Sequence, residues 1–561
     1  MNFINRKLAD FNGLTFKIPT VLFFSILMFT MGYLIYVQFS YYWDFLHSDI
    51  VADLAFIREA GRVGSLFPTG WAHLNEMRFV YVTTPAVLFY MVLGNVHLSY
   101  KLAVISMLFL NVFLFVYLIN YEKKHLLATF AGLVTLLVLF SRYTIFSLFS
   151  ILFVNGSLST HLATVLFTLG VYMRIRHAKG GIDVKKWVIT LVLILAFLQG
   201  IQTSRMVILL YAPLVFVEVV SFLSQLKKGA AVVPVKGMIF TFCLFVLNVL
   251  GMFTVNRLIG SGRILLEERG LTFGMDIVGS HQFFERIMDG LTSVLNAFGL
   301  TGGVALFSYE GFMFVFRMGL LVLVFVLMRQ LKRDASTNHL IFTLFVTLLF
   351  SVFAQAFIAI GIGERFNFTA TTFIAIVVVG AVDRLIKMSS VKDLDVEKAQ
   401  VPVLSVSRVQ LPKMVLFGLL GMLLVGTLMS LDTLGFYRQP NLQSDRETVV
   451  DFLQAEGLSR GYGAFWQAHG LTGVSDWEVV VIPFHSNLGI MGQPLQQGVS
   501  HDDFFHGEER VFLVGSIDHF QEGYASPATA PLLSMGQRHD FDGGWVVYVF
   551  DFNPWLGYKN P

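Results

Sequence analysis

The sequence predicts an α-helical polytopic membrane protein with a small α/β domain at its C-terminal end. Three observations predict it. Of the 561 residues, 55% are apolar and 14% charged, with mean hydropathy +0.69. Soluble domains carry about 25% charged residues, so much of this chain meets a solvent that penalises charge. The apolar residues gather into runs of about twenty, the length a helix needs to cross a hydrocarbon core. After residue 431 the composition changes abruptly to short strand-like runs separated by Gly, Asp and His turns.

The first run, 18–40, follows Arg6, Lys7 and Lys17, exceeds the apolar core of a signal peptide and lacks a small-residue cleavage site. It reads as a retained first helix. Further spans are expected near 100–120, 126–147, 158–173, 187–204, 207–224, 237–255, 309–328, 338–359, 366–386 and 413–431, giving about eleven. The segments between them alternate in charge. Lys123-Lys124, Arg174 to Lys186, Lys227 to Lys236, Arg329 to Arg333 and Arg384 to Lys413 are basic, whereas 41–99, 148–157, 205, 256–308 and 360–365 hold nearly all the flanking acids. Basic loops stay cytoplasmic, so the N-terminus is expected inside the cell membrane and the tail outside. The segment 79–96 would reverse this order if it crossed. With Thr83, Thr84 and Pro85 it reads instead as a helix lying in the outer interface. The expected domains are therefore 1–431, with a first outer loop 41–99 and a cytoplasmic linker 387–412, and 432–561. In the tail, 477–483, 510–514 and 545–551 are expected strands and 444–456 a helix. No internal repeat is evident.

Composition also excludes functions. A net charge of +3 is too small to attract nucleic acid by its field. One cysteine, Cys243, rules out an intramolecular disulfide and reads as buried filler in an apolar run. A Gly-rich phosphate loop, an H-E-x-x-H motif and a cytoplasmic nucleotide-sugar domain are all lacking.

Polar groups at membrane depth are costly and mark function more often than elsewhere. Directly after the first span come the aromatic residues Tyr41 to Trp43, suited to the interface, and then Asp49 and Asp53 on an expected amphipathic helix over 49–60. A carboxylate held at the lipid surface gains basicity by partial desolvation. Against that stands the plain alternative, in which Asp49 caps the helix and Asp53 faces water. Glu76-Met77-Arg78 precedes the interfacial helix. Arg365, beside Glu364 at an outer helix end, offers a fork of paired donors suited to a phosphate or to its neighbouring acid. Gln202-Thr203-Ser204-Arg205 forms a short turn between spans, and Tyr143, Asn155 and His161 could line the same cavity. His501, Asp502, Asp503 and His506 read as a polar loop rather than a metal site.

An acidic pair after the first helix, on an outer loop with juxtamembrane helices, resembles the GT-C superfamily of membrane glycosyltransferases. The run His47 to Val80, with Ser48-Asp49, Asp53, Trp71, Asn75-Glu76 and Met77-Arg78, is similar to a group of Gram-positive multi-pass proteins, as are Val449 to Leu458 and Gly461 to Trp466. His47 stands where that group carries its first Asp, so the two-acid motif is incomplete. The resemblance implies a GT-C-like fold and transfer of a sugar, with inversion, from a polyprenyl-phosphate donor to an envelope glycan or lipid-linked acceptor outside the cell. It implies Asp49 as general base with Asp53 beside it, Arg365, Arg78 and Arg205 at the donor phosphate, and Glu76, Gln202 and His47 at the substrate. No cofactor is implied; a divalent cation stays open. A lipid-linked oligosaccharide polymerase shares the expected topology and donor chemistry, and a polysaccharide or lipid transporter is the non-enzymatic alternative.

Overall fold

The computed structural model describes residues 2–554 except 41, 46–47, 67, 69–71, 74–77, 123, 140–151, 153–155, 157, 178–183, 204, 228–234, 262–264, 267–282, 298–306, 331–334, 358–367, 390–404, 434–440, 464, 484–509, 519 and 521–529. The helices are α1 (Asn2–Ser40), α2 (Ser48–Val63), α3 (Thr83–Leu93), α4 (Val96–Ile119), α5 (Leu126–Val134), α6 (Ser159–His177), α7 (Lys186–Gln202), α8 (Ala212–Lys227) and α9 (Val235–Gly260). They continue with α10 (Phe283–Ala297), α11 (Tyr309–Gln330), α12 (Ala335–Phe357), α13 (Phe368–Ser389), α14 (Ser405–Thr433), α15 (Asn441–Ala455), α16 (Phe465–Val474) and α17 (Ala530–Leu533). The strands are β1 (Ala72–His73), β2 (Leu265–Leu266), β3 (Arg460–Gly463), β4 (Val480–Pro483), β5 (Val511–Ser516), β6 (Gln537–Phe541) and β7 (Trp545–Phe550). Two compact units result. One comprises Met1–Tyr36, Ser106–Phe253 and Gly270–Gly435; the other comprises Val37–Ile105, Thr254–Arg269 and Phe436–Pro561.

A described helix overlaps each expected span, while 140–147, 358–359 and 366–367 lie outside the described residues. Among the described residues six stretches are long and apolar enough to cross a membrane: Lys17–Ser40, Val96–Ile119, Val207–Lys227, Val235–Gly260, Ala335–Ala354 and Thr369–Ser389. Shorter apolar stretches lie in α5, α7, α11 and α14. At 11 residues α3 is about 16 Å long, too short for a core about 30 Å thick. It buries Thr83, Ala86 and Val87 and exposes Leu88, Met91, Val92 and Leu93.

In the first unit α13 is the central element. Its apolar stretch is 94% buried, against 33% to 56% for the other five, and α5, α12 and α14 pack around it. Two buried acids described in this unit are paired, as burial requires. Asp383 takes Lys387 at 2.7 Å and Lys124 at 3.6 Å, and the His125 N–H donates to its other oxygen at 3.1 Å. Glu218 accepts from the Tyr172 hydroxyl and, at 2.7 Å, from Arg176 Nη1.

Where α7 crosses α9, two glycines let the backbones touch. A Cβ on Gly200 would lie 1.9 Å from the Asn248 carbonyl oxygen, and one on Gly251 would lie 2.2 Å from that of Phe197. The closeness brings Asn248 Nδ2 within 2.7 Å of the Ala196 carbonyl. Small residues and polar cross-links take this role in membranes because lipid leaves little hydrophobic drive for helices to associate.

In the second unit the sheet runs β4-β3-β5-β7-β6, with β3 parallel to β4 and β5 and the rest antiparallel. Parallel neighbours need a crossover helix, which α16 supplies between β3 and β4. Alternate strand residues enter opposite cores. Phe512, Val514, Val547 and Val549 pack with Val449, Leu453, Ala468 and Leu471 of α15 and α16, while Val511, Leu513, Val546, Tyr548 and Phe550 pack with Tyr462 and Phe520.

Several expectations are corrected. Cys243 is exposed on α9 rather than buried, because an apolar helix side in a membrane can meet lipid as well as protein. Helix α14 begins at Ser405, inside the expected linker. The strand expected from 477 begins only at Val480, since Asp476 and Trp477 adopt left-handed backbone. Strands β3 and β6 were not expected. Glycine weakens strand signals, yet in β3 it is needed, for a Cβ on Gly461 would strike the Phe512 ring at 2.6 Å. The segment β6 is polar and forms the exposed edge.

Substituting Gly200→Ala should force α7 and α9 apart and cost about 1–3 kcal/mol, as overpacking does. Gly418→Ala, with nothing within 4 Å of its new methyl, should be neutral or slightly stabilising. Thermal unfolding in detergent compares the two, and equal midpoints would refute the close crossing.

Candidate active site

The loop that follows α1 builds its site on α2. Ile50, Val51, Ala52, Leu54, Ala55, Phe56 and Ile57 are all buried, and a helix apolar on every side is a buried helix. The expected amphipathic helix is therefore buried on every side only over 50–57, where α3 and α16 pack against α2, while Arg58 and Arg62 further along it are exposed. Small residues permit it. A Cβ on Gly61 would lie 2.2 Å from the Tyr90 ring of α3.

Asp53 is the only charged residue in 50–57 and is 1% exposed. The reading in which it faces water does not hold. Arg78 Nε donates to Asp53 Oδ1 at 2.6 Å, and Arg78 is itself 9% exposed. Its guanidinium lies 5.9 Å from the Phe56 ring centre. The Thr84 hydroxyl donates to the Phe79 carbonyl at 3.0 Å, tying the chain after Arg78 to the start of α3. The buried Tyr42 hydroxyl feels the Asp53 charge. Burial, and secondarily that charge, push the pKa of Tyr42 well above 10, so it stays protonated.

An aromatic cluster adjoins the pair. Tyr42 hydrogen-bonds His97 Nδ1 at 3.2 Å, the rings of Trp43 and His97 lie 4.8 Å apart, and Lys101 Nζ sits 4.3 Å from the Tyr42 ring centre. The residues before α3 are also tied to the second long loop, since Ala72 and His73 pair in parallel with Leu265 and Leu266.

Asp49 lies on α2 one helical turn before Asp53; its side chain, like His47, Glu76, Glu364 and Arg365, lies outside the described residues, as do Trp71, Asn75, Tyr143 and Asn155. Gln202, at the end of α7, is fully buried, and the Arg205 N–H donates to Thr203 Oγ1 at 3.3 Å just before a π-helical turn, Val207–Tyr211. Both belong to the first unit, and so does His161, buried within α6. Thus Asp53 and Arg78, expected in separate roles, are joined in one pair. Residues 501–509 are outside the described residues, and among those described no group of three or more His, Cys, Asp or Glu side chains could hold a metal. Sequence reasoning did not single out Tyr42, His97, Lys101 or Trp477 for this region. The aromatic run Tyr41 to Trp43 was a signal, but it read as an interface belt.

No family model and no curated protein matches the sequence. Its structure is similar to the crystal structure of ArnT from Cupriavidus metallidurans bound to undecaprenyl phosphate, with a TM-score of 0.51 at 14% identity, over 96% of this chain and 99% of that one. The chain therefore shares the fold of that protein and is a multi-pass helical membrane protein.

Removing one member of a buried ion pair strands the other charge, at about 3–5 kcal/mol. Arg78→Met should lower the unfolding midpoint in detergent strongly, and adding Asp53→Leu should restore most of the loss. A double variant as unstable as the single one would mean that the two charges do not stabilise each other.

Proposed function

We propose that this protein transfers a sugar from a polyprenyl-phosphate donor to a hydroxyl of a cell-envelope glycan or other acceptor at the outer face of the membrane. The observation that carries the reading is the buried Asp53–Arg78 pair, held on the loop after the first span of a GT-C-like fold. A buried charged pair adds little net stability compared with apolar side chains, which favours a use for it, and the structurally similar ArnT is a protein seen with undecaprenyl phosphate bound.

In the proposed reaction the acceptor hydroxyl attacks the anomeric carbon while its proton passes to the Asp49 carboxylate. The bond from that carbon to the phosphate oxygen breaks on the opposite side, with inversion, and the polyprenyl phosphate leaves carrying the electron pair. The leaving group is a stable anion and needs no acid. Its growing charge would be met by Arg365, Arg78 and Arg205. Asp53 orients Arg78: a guanidinium has five N–H donors in a rigid fork, and holding the fork at Nε fixes the direction of the others. His47, Glu76 and Gln202 complete the proposed substrate contacts. The reaction uses no cofactor, and a divalent cation stays open. In this reading about eleven spans put the N-terminus in the cytoplasm and the C-terminal α/β domain outside, as the basic loops require.

Asp49→Asn should reduce transfer about 10²–10⁴-fold, the usual size of a general-base contribution. Arg365→Lys should keep the charge but lose the fork, lowering donor use about 10–100-fold, since a charged hydrogen bond is worth about 1.5–3 kcal/mol. Both are read from transfer of a synthetic polyprenyl-phosphate sugar in detergent across a donor titration. Near-normal rates for Asp49→Asn would remove it as the base.

The topology is checked by single cysteines in a Cys243→Ser background. Lys185→Cys, at an exposed site in a basic loop, should resist an impermeant thiol reagent in intact cells, and Met535→Cys, 61% exposed in the tail, should react. The opposite pattern would place the proposed site on the wrong side of the membrane.

A further inference from the structure

The turn after α16 contains two adjacent non-glycine residues in left-handed backbone, Asp476 at φ 49° and Trp477 at φ 67°. One is uncommon; a bulky aromatic there is an outlier that survives only where its surroundings over-determine it. They do so here. The Trp477 N–H donates to the Thr472 carbonyl at 3.0 Å and that of Asp476 to Gly473 at 3.3 Å. The Ser475 hydroxyl donates to the Val479 carbonyl at 3.0 Å and accepts from the Val479 N–H at 3.1 Å. Thr472 Oγ1 accepts from the Val481 N–H at 2.9 Å, fastening the turn to β4.

What the turn presents is a pair of side chains to the loop that carries Asp53. Asp476 Oδ1 lies 3.6 Å from His97 Nε2, and the Trp477 ring stands 5.9 Å from the His97 ring, with the Arg58 guanidinium 5.0 Å over it. Arg58 belongs to α2, five residues beyond Asp53, and His97 bonds Tyr42, whose hydroxyl feels the Asp53 charge. The body of α16 packs along the same α2.

We propose that the Asp476–Trp477 turn is a positioning element: through Arg58 and His97 the C-terminal sheet holds α2, and with it the Asp53–Arg78 pair, in register. The inference rests on the sugar-transfer reading only for its kinetic consequence. Ordinary turn residues could connect α16 to β4. The left-handed pair instead aims a carboxylate and an indole at two elements of the site.

The test pairs a kinetic measurement with one independent of activity. Trp477→Ala should raise amide hydrogen exchange in α2 and in 78–84 at least tenfold, with the sheet's own amides unchanged. It should lower kcat about tenfold while the donor KM stays within twofold. Trp477→Phe should recover most of both, and Asp476→Asn, which keeps a polar atom near His97 and tolerates left-handed backbone, should stay near wild type. Unchanged exchange in α2, or wild-type kcat in Trp477→Ala, would overturn the positioning role. Equal loss of protection across the sheet would also overturn it, by showing a merely structural residue. If the unaltered protein transfers no polyprenyl-linked sugar, the sugar-transfer reading fails, and exchange in α2 alone decides whether the turn braces it.

Discussion

A charge taken out of water must find a partner, and the unit that carries the candidate site is arranged around one such pairing. Asp53 sits within a stretch of α2, 50–57, whose other residues are all apolar and buried. Left alone it would neutralise or destabilise the fold. Arg78 answers it at 2.6 Å from a segment 25 residues further along, so the loop between them must fold back to deliver the guanidinium. The short strand pairing at Ala72–His73, the Thr84 hydroxyl bond and the Gly61–Tyr90 approach all serve that return. Because a buried pair is a poor source of net stability compared with apolar side chains, its presence points to a use for the charges themselves.

The same unit joins the first loop to the C-terminal sheet. The first half of α2 is buried because α16 covers one side of it and α3 another. The tail is thus part of the packing that desolvates Asp53, and Trp477 with Arg58 and His97 belongs to the same joint. The first unit solves a related problem with different means. There the backbones touch at Gly200 and Gly251, and buried acids such as Glu218 and Asp383 are each met by a basic side chain.

Fold likeness at 14% identity is what these constraints lead one to expect. Apolar helices tolerate wide exchange among Leu, Val, Ile and Phe, since lipid and protein core reward the same chemistry. Shared architecture does not by itself carry a reaction. Sugar transfer is proposed on the charged residues of the first loop, where Asp53 and Arg78 are buried together.

Sequence by itself determined that the chain is a multi-pass helical membrane protein, because length and apolar composition are local properties. It also marked 79–96 as unlike the spans, by the charge alternation around it and by Thr83, Thr84 and Pro85, showed that the tail changes to strands, and singled out Asp53 and Arg78 for chemical interest; that the helix there has only 11 residues came from the structure. Only the tertiary structure decided which apolar surfaces face protein. The first half of α2 is buried on every side, Asp53 included, and Cys243 is exposed where burial was expected. The reason is physical: in a membrane protein an apolar side chain is stable against lipid or against a neighbour, so hydrophobicity no longer reports burial. The pairing of Asp53 with Arg78, the strand at Gly461 and the left-handed turn at Asp476–Trp477 were illegible for a second reason. The first two depend on residues distant in sequence, Arg78 and Phe512, and the partners the turn faces, Arg58 and His97, are likewise brought to it only by the folded chain.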